Sequence, residues 1–257
     1  MNYWAIIPAA GVGKRMQSNC PKQYLLLDQF SILHHTLCTF IKHPKITGIV
    51  VAISEGDEYW PDVYKQLPIN DKTILIAPGG NERSDSVLSA LNFLSKYLNS
   101  SNLDLTNKIP HSLPLPKDVK GDNCIAMVHD AARPCLLAQD IDNLINELDN
   151  HEVGVILGLP VVDTLKRCNA SEEIETTIDR KNMWRALTPQ CFPLDLLIKA
   201  LGNAYQQGLE KKITDESSAI ELMGLKPGII EGDIHNIKVT IPQDLELAKN
   251  FINRQNK

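Results

Sequence analysis

Three cations and a run of small residues lie close together near the start of the chain. Pro8-Ala9-Ala10-Gly11-Val12-Gly13-Lys14-Arg15-Met16 follows the apolar run Tyr3 to Ile7 and leads to Cys20-Pro21-Lys22-Gln23. Small residues let the backbone approach a ligand closely, and N–H groups in such a loop hold anionic oxygens. Arg15 and Lys22 add full positive charge at the same place. The combination suits a triphosphate. Two familiar phosphate loops are excluded. A Walker loop needs a Ser or Thr after Gly-Lys, and Arg15 follows Gly13-Lys14. The dinucleotide fingerprint needs a third Gly, and Met16 stands there. On these residues alone, a strand-to-loop turn with solvated cations is an equal reading.

Three other segments carry unusual chemistry. Pro78-Gly79-Gly80-Asn81-Glu82-Arg83-Ser84-Asp85-Ser86 has a Gly pair that allows close backbone approach and side chains able to read a base or ribose. A turn with a helix cap is the plainer alternative. In His129-Asp130-Ala131-Ala132-Arg133-Pro134 a carboxylate ends a buried strand, which is costly unless it is solvated, paired or metal-bound. A salt bridge from Asp130 to Arg133 is the plainer alternative. In His235-Asn236-Ile237-Lys238-Val239-Thr240, an expected strand, Lys238 and Thr240 share one face. Alone, Lys238 is a solvated lysine.

These segments need elements to hold them, and strand and helix signals alternate along the chain. Ile49 to Ile53 is a continuous apolar run expected of a strand buried on both faces, and Thr73 to Ala77, Cys124 to Val128 and Val153 to Leu159 are further expected strands. Before and between them, Leu33, Leu37, Phe40 and Ile41, then Val87, Leu91, Leu94 and Leu98, then Ile141, Leu144, Ile145 and Leu148 recur at helical spacing. Ser84 or Asp85 is the expected cap of the second helix. His34 and His35 fall within the first and point to different faces, as structural residues. Further helices are expected from about Pro193 to Gln207, from Thr214 to Met223 with Gly224 as a left-handed cap, and after Pro242, with a strand at Gly228 to Glu231. The order predicts an α/β fold with a mostly parallel sheet and helices on both faces, whose ligands lie outside the carboxyl ends of the strands. Residues 161–180 read as a hairpin with no helix to cover it; a partner subunit is the simplest cover. Residues 99–123, polar and Pro-rich, are expected to be a surface insertion. The chain is expected to be a single domain over 1–257.

Composition removes several classes. The 257 residues are 43% hydrophobic and 22% charged, with a net charge of −5, so no global basic field exists to hold nucleic acid. Six scattered Cys without a C-x-x-C pair point to reduced thiols and a cytoplasmic protein. The seven His show no metal-binding spacing. No apolar run is long enough to span a membrane, and the N-terminus lacks the marks of a signal peptide.

Taken together and in order, the motifs resemble the 2-C-methyl-D-erythritol 4-phosphate cytidylyltransferase family. The matching segments are those above together with Pro160 to Arg167, Asp179-Arg180, Trp184 to Gln190 and Ile213 to Glu216. The resemblance implies a Rossmann-like, mostly parallel sheet with a protruding β-hairpin arm for dimerisation. It implies transfer of a cytidylyl group from CTP to 2-C-methyl-D-erythritol 4-phosphate, with Mg²⁺ and release of pyrophosphate. It assigns Arg15 and Lys22 to the transition state and the departing pyrophosphate. Arg180 and Lys238 hold the methylerythritol phosphate in line. Ala9, Ala10, Gly11 and Gly13 wrap the triphosphate, Gly80, Asn81 and Ser86 read cytosine, Ala131 packs near the ribose, and Asp130 sits by Mg²⁺. Thr164, Thr188, Thr214 and Thr240 bond the second substrate. In a homodimer the arm would carry Thr164 and Arg180 into the neighbour's site. Some relatives have an acidic residue where this chain has His235. A ribitol 5-phosphate cytidylyltransferase and a CTP-binding regulator without turnover are the alternatives.

Overall fold

The computed structural model describes residues 1–11, 20–68, 71–99 and 123–255. Gly13, Arg15 and most of the 99–123 segment therefore lie outside the described residues.

A seven-stranded sheet organises the chain. In sequence order its strands are β1 (Asn2–Pro8), β4 (Ile46–Ile53), β5 (Thr73–Pro78), β6 (Cys124–Val128), β7 (Val155–Pro160), β10 (Trp184–Pro193) and β11 (Gly228–Glu231). The short pair β2 (Leu26–Leu27) and β3 (Phe30–Ser31) and the pair β8 (Leu165–Cys168) and β9 (Ile174–Ile178) form separate two-stranded sheets. The spatial order is β11-β7-β10-β6-β1-β4-β5. β1 pairs in parallel with β4 on one side and β6 on the other, β4 with β5, and β11 with β7. The chain thus moves outward from β1 to β4 and β5, then returns to lay β6 on the opposite side. That reversal opens a crevice at the carboxyl ends of the strands, where ligands of such sheets bind.

The helices are α1 (Ile32–Lys42), α2 (Trp60–Gln66), α3 (Arg83–Asn99), α4 (Ala138–Glu147), α5 (Leu194–Gln206), α6 (Glu216–Leu222) and α7 (Pro242–Gln255). Two apolar layers flank the sheet. One packs α1, α2 and α4 through Leu37, Phe40, Trp60, Ile141 and Leu144. The other packs α3, α5 and α6 through Val87, Leu91, Leu197, Leu201 and Ile220. Because both faces are covered, β1 and β4 read as continuous apolar runs rather than alternating ones. A smaller cluster joins α7 to the start of α1 through Ile32, Val239, Ala248 and Ile252.

Three expectations change. First, β10 is antiparallel to both β6 and β7 in the middle of the sheet. No strand is expected there from the sequence, because Pro189 and Pro193 interrupt the run. The ladder shifts register between Ala186 and Gln190, and the Thr188-Pro189 bond is cis. Second, 236–240 is not a strand. It runs beside the loop after β6 and makes one backbone bond there, from Val239 N–H to Ala132 O at 2.8 Å, with no ladder. The alternation survives: Val239 is buried, while Lys238 and Thr240 stay partly open. Third, α3 begins at Arg83, so Ser84 and Asp85 lie inside it; the Asp85 carboxylate instead accepts from Glu82 N–H at 2.9 Å.

The other helix ends follow their local chemistry. Asp215 and Ser218 form a capping box at the start of α6, and Gly224 beyond its end has φ +78°. His34 and His35 turn their ring nitrogens to the backbone carbonyls of Gln66 and Leu27, at 3.0 and 2.7 Å, in structural roles. None of the six cysteines, all of them among the described residues, forms a disulfide. Among the described residues no helix is long and apolar enough to cross a membrane.

Candidate active site

A pocket lies where β1, β5 and β6 end. Ala9, Ala10 and Gly11 form one wall, Gly80 and Asn81 a second, and Asp130 and Ala131 the floor, with Lys22 and Lys238 at the rim. Those residues are ten of the sequence-derived set once Ser86 is included. The strand ends are tied together. Ala9 N–H donates to Ala52 O at 2.8 Å, Gly79 N–H to Ile53 O at 2.7 Å, and the Ser54 hydroxyl to Ala10 O at 3.0 Å. Gln23, buried, donates from Nε2 to Ala9 O at 2.5 Å, and so fixes the segment bearing Lys22 against the first wall. Lys22 Nζ contacts Val239 O at 3.5 Å.

The glycines divide by role. A Cβ on Gly79 would lie 2.2 Å from the Ala10 Cβ, and one on Gly80 2.2 Å from the Asp85 Cβ. The loops pack too closely there for any side chain. A Cβ on Gly11 would meet nothing within 4 Å, because that backbone borders open space. Ser86 secures the second wall: its hydroxyl accepts from Gly80 N–H at 3.0 Å and donates to Glu82 O at 3.3 Å.

Asp130 is the hub of the floor. It is 7% exposed. Its Oδ1 accepts from Arg83 Nε at 2.8 Å, and its Oδ2 lies 2.9 Å from Lys238 Nζ and 3.3 Å from Arg133 Nε. Burial opposes ionisation of this carboxyl, but Arg83, Lys238 and Arg133 outweigh it and hold it well below the usual carboxylate range. Asp130 thus makes the ion pair with Arg133 that the plainer reading expects, and it also lines the pocket.

Beneath the hub the backbone is set by His129. Its Nε2 faces Arg133 O, an acceptor only, at 3.1 Å, so Nε2 carries the proton. Nδ1 is then the acceptor for the Thr188 hydroxyl at 3.0 Å, and that hydroxyl accepts from Asp130 N–H at 3.1 Å. Complete burial pushes the imidazole down to about 4, so it is neutral. Thr188, expected to bond substrate, is itself buried and spends its hydroxyl inside this chain of bonds.

The remaining assigned residues that the structure describes lie outside the pocket lining. Thr240 donates to the Asp244 carboxylate at 2.8 Å, at the start of α7. Thr214 is exposed just before α6. Thr164 and Arg180 lie on the exposed arm, where Arg180 Nη1 donates to Val162 O. His235 turns away from the pocket, with Nδ1 at 2.6 Å from the Asp233 carboxylate and its ring against Phe251.

Sequence reasoning missed two groups. Gln23 carries no charge or catalytic chemistry that would single it out within its motif. Arg83 and Glu216 form a two-pronged pair, Nη1 to Oε1 at 2.6 Å and Nη2 to Oε2 at 3.0 Å. No local signal could reveal it, since the partners stand 133 positions apart. The only hint was an acidic residue at the start of a short helix.

A crevice at a topological switch point, with small-residue walls and a cationic rim, marks an α/β protein built to take an anionic, nucleotide-like ligand. The model of the 2-C-methyl-D-erythritol 4-phosphate cytidylyltransferase family matches residues 3–100 and 115–254. Curated proteins of that name from Vibrio vulnificus (strain YJ016) and Vibrio parahaemolyticus are 45% and 43% identical. Each alignment covers 98% of this chain, and 94% and 95% of the relative. The crystal structure of the Francisella tularensis enzyme of that name superposes with a TM-score of 0.74 at 33% identity, covering 98% of this chain and all of that one. The chain belongs to the 2-C-methyl-D-erythritol 4-phosphate cytidylyltransferase family and is a cytidylyltransferase.

Proposed function

We propose that the protein transfers the cytidylyl group of CTP to 2-C-methyl-D-erythritol 4-phosphate in isoprenoid precursor biosynthesis. A phosphate oxygen of the acceptor attacks the α-phosphorus, the α–β bond breaks, and pyrophosphate leaves. The observation that carries this reading is the convergence of Lys22, Lys238 and the Asp130 hub on a pocket walled by Ala9, Gly11, Gly80 and Asn81. The attacking phosphate is already ionised, so no general base is needed, and catalysis is positioning plus charge stabilisation. Two polyanions must meet, and unit charges about 4 Å apart repel by roughly 4 kcal/mol at an effective dielectric near 20. Lys22, with Arg15, meets the triphosphate; Lys238 meets the acceptor. Gly80, Asn81 and Ser86 face the base, and Ala131 the ribose. Gly13 belongs with the triphosphate wall, and Thr188 serves by holding Asp130 rather than by touching substrate.

The donor set suits a magnesium ion that arrives with the nucleotide. Among the described residues no three His, Cys, Asp or Glu side chains gather into a metal cage. Mg²⁺ commonly takes one carboxylate and fills its shell with phosphate oxygens and water. Asp130 would supply that carboxylate, because Oδ1 has a lone pair beyond the one Arg83 uses. When bound, the ion supplies charge neutralisation between the phosphates.

The arm is proposed to complete the acceptor side in a homodimer. Val162 and Ile174 are 72% and 64% exposed, apolar surface that a partner would cover. Thr164, Arg180, Thr214 and Thr240 then address the acceptor, the first two from the neighbour. The protein is placed in the cytoplasm, acting on small molecules rather than nucleic acid or membrane.

The test is pyrophosphate release by purified protein with CTP, Mg²⁺ and either 2-C-methyl-D-erythritol 4-phosphate or ribitol 5-phosphate. Release with the first alone supports the reading. Release with the second alone replaces the acceptor, and CTP binding without release makes the protein a regulator.

A further inference from the structure

Arg83 stands where three segments meet, and the reaction as described leaves it without a task. It opens α3 behind the base-reading loop, reaches Asp130 through Nε, and grips both oxygens of Glu216 at the start of α6. Glu216 is 1% exposed. We propose that Arg83 is a positioning residue that locks the nucleotide loop to the acceptor-side helix α6 and keeps Lys238 available to substrate phosphate. The inference rests on the cytidylyl-transfer reading above.

Charge points to geometry rather than phosphate binding as the task of this side chain. Glu216 and Asp130 both contact the guanidinium, so its positive charge is satisfied within the protein. Three of its five N–H groups are spent on these two carboxylates. A guanidinium is planar, so seating its two outer nitrogens on Glu216 sets the direction of Nε toward Asp130. An ammonium at this site carries the same charge but has no fixed fork.

The other end of the link is equally secured. Gln190 on β10 accepts from Ser217 N–H at 2.9 Å and donates to the Asp215 carboxylate at 2.9 Å. α6 and the adjoining Thr214 are thereby held from the sheet on one side and from Arg83 on the other. Asp130 shares its two oxygens among Arg83, Arg133 and Lys238. Without the Arg83 Nε donor, that carboxylate draws more strongly on Lys238, whose ammonium is then less free for the acceptor phosphate.

The test uses the full chain with Arg83→Lys, Glu216→Gln and the double variant. Steady-state constants for each substrate are measured alongside CTP affinity by calorimetry and thermal unfolding. For Arg83→Lys, kcat is expected to fall on the order of 10- to 100-fold and the KM for the acceptor to rise about 5-fold, while CTP affinity changes less than about 3-fold. Glu216→Gln shifts the same constants in the same direction by less. The double variant is no worse than Arg83→Lys, because the fork is already lost. Constants within about 2-fold of the parent, equal losses for both substrates, or additive singles would each overturn the proposal. If Arg83→Lys does not fold, Glu216→Gln decides by the same split. A parent that releases no pyrophosphate removes the underlying reading and this role with it; an active parent with unaffected variants removes the role alone.

Discussion

The floor of the pocket and the hairpin arm are opposites. At the floor, Asp130, Arg83, Arg133, Glu216 and Lys238 satisfy one another within a single chain, and Asp130 and Glu216 are nearly sealed from water. On the arm, β8 and β9 pair among the described residues only with each other, and the side chains of Val162, just before β8, and of Ile174 in β9 are exposed. A two-stranded ribbon gains little stability alone in water. The floor is thus tied together within one chain, whereas the arm holds Thr164 and Arg180 outside the pocket lining. The contrast teaches where a change should be felt if the proposed arm exchange holds: in one subunit at the floor, across two at the arm.

The largest expected effect lies at the rim. Lys238→Met should lower pyrophosphate release on the order of 100- to 1000-fold while the protein stays folded, as loss of a group aimed at developing charge does. A drop of only a few-fold would make Lys238 the solvated lysine of the plainer reading. Arg180→Ala should lower turnover comparably while CTP affinity, read by calorimetry, stays near that of the parent. Mixing that variant with Lys238→Met probes the division directly. In an arm-exchanged dimer each heterodimer has one site carrying both defects and one intact, so re-association at equal amounts should recover roughly a quarter of parent activity. No recovery would place Arg180 in its own chain's site or outside any site.

The floor itself should respond to acid. His129 is neutral when folded because burial pushes it down to about 4. Its ordinary value is near 6.5, so the unfolded chain takes up a proton first as pH falls. The contribution is whole above about 6.5 and is lost between there and about 4, a difference of roughly 3 kcal/mol. Denaturant unfolding at pH 7 and pH 4.5 should show it, and His129→Gln should flatten that part of the profile. An unchanged slope in the variant would place the acid sensitivity elsewhere.

The smallest effect separates walls from packing. Gly80→Ala puts a methyl against Asp85 and should cost about 1–3 kcal/mol of stability. Gly11→Ala meets nothing in the protein, so its melting temperature should hold while CTP affinity falls. Equal melting losses for the two would show that Gly11 is a packing residue.

Much of the pocket was legible because its walls are contiguous segments that each follow a strand. Ala9 to Gly11, Gly80-Asn81 and Asp130-Ala131 can be placed from apolar runs and the rule that ligands gather at strand ends. β10 was not legible, since two prolines hide a strand whose ladder is broken between Ala186 and Gln190. The segment 236–240 reads as a strand by alternation, but only tertiary contact shows that a single backbone bond to Ala132 O takes the place of a ladder.

Local spacing therefore determined which elements form, which residues stand at their ends, and that a polyanion belongs among them. Tertiary structure alone decided how the charges are divided. Arg83 finds Asp130 and Glu216 across 47 and 133 positions. Thr188 turns inward to His129, and Lys238 shares Asp130 with two arginines. Apolar periodicity is a property of neighbours along the chain, whereas ion pairing in a buried site depends on which distant segments the sheet order brings within a few ångströms.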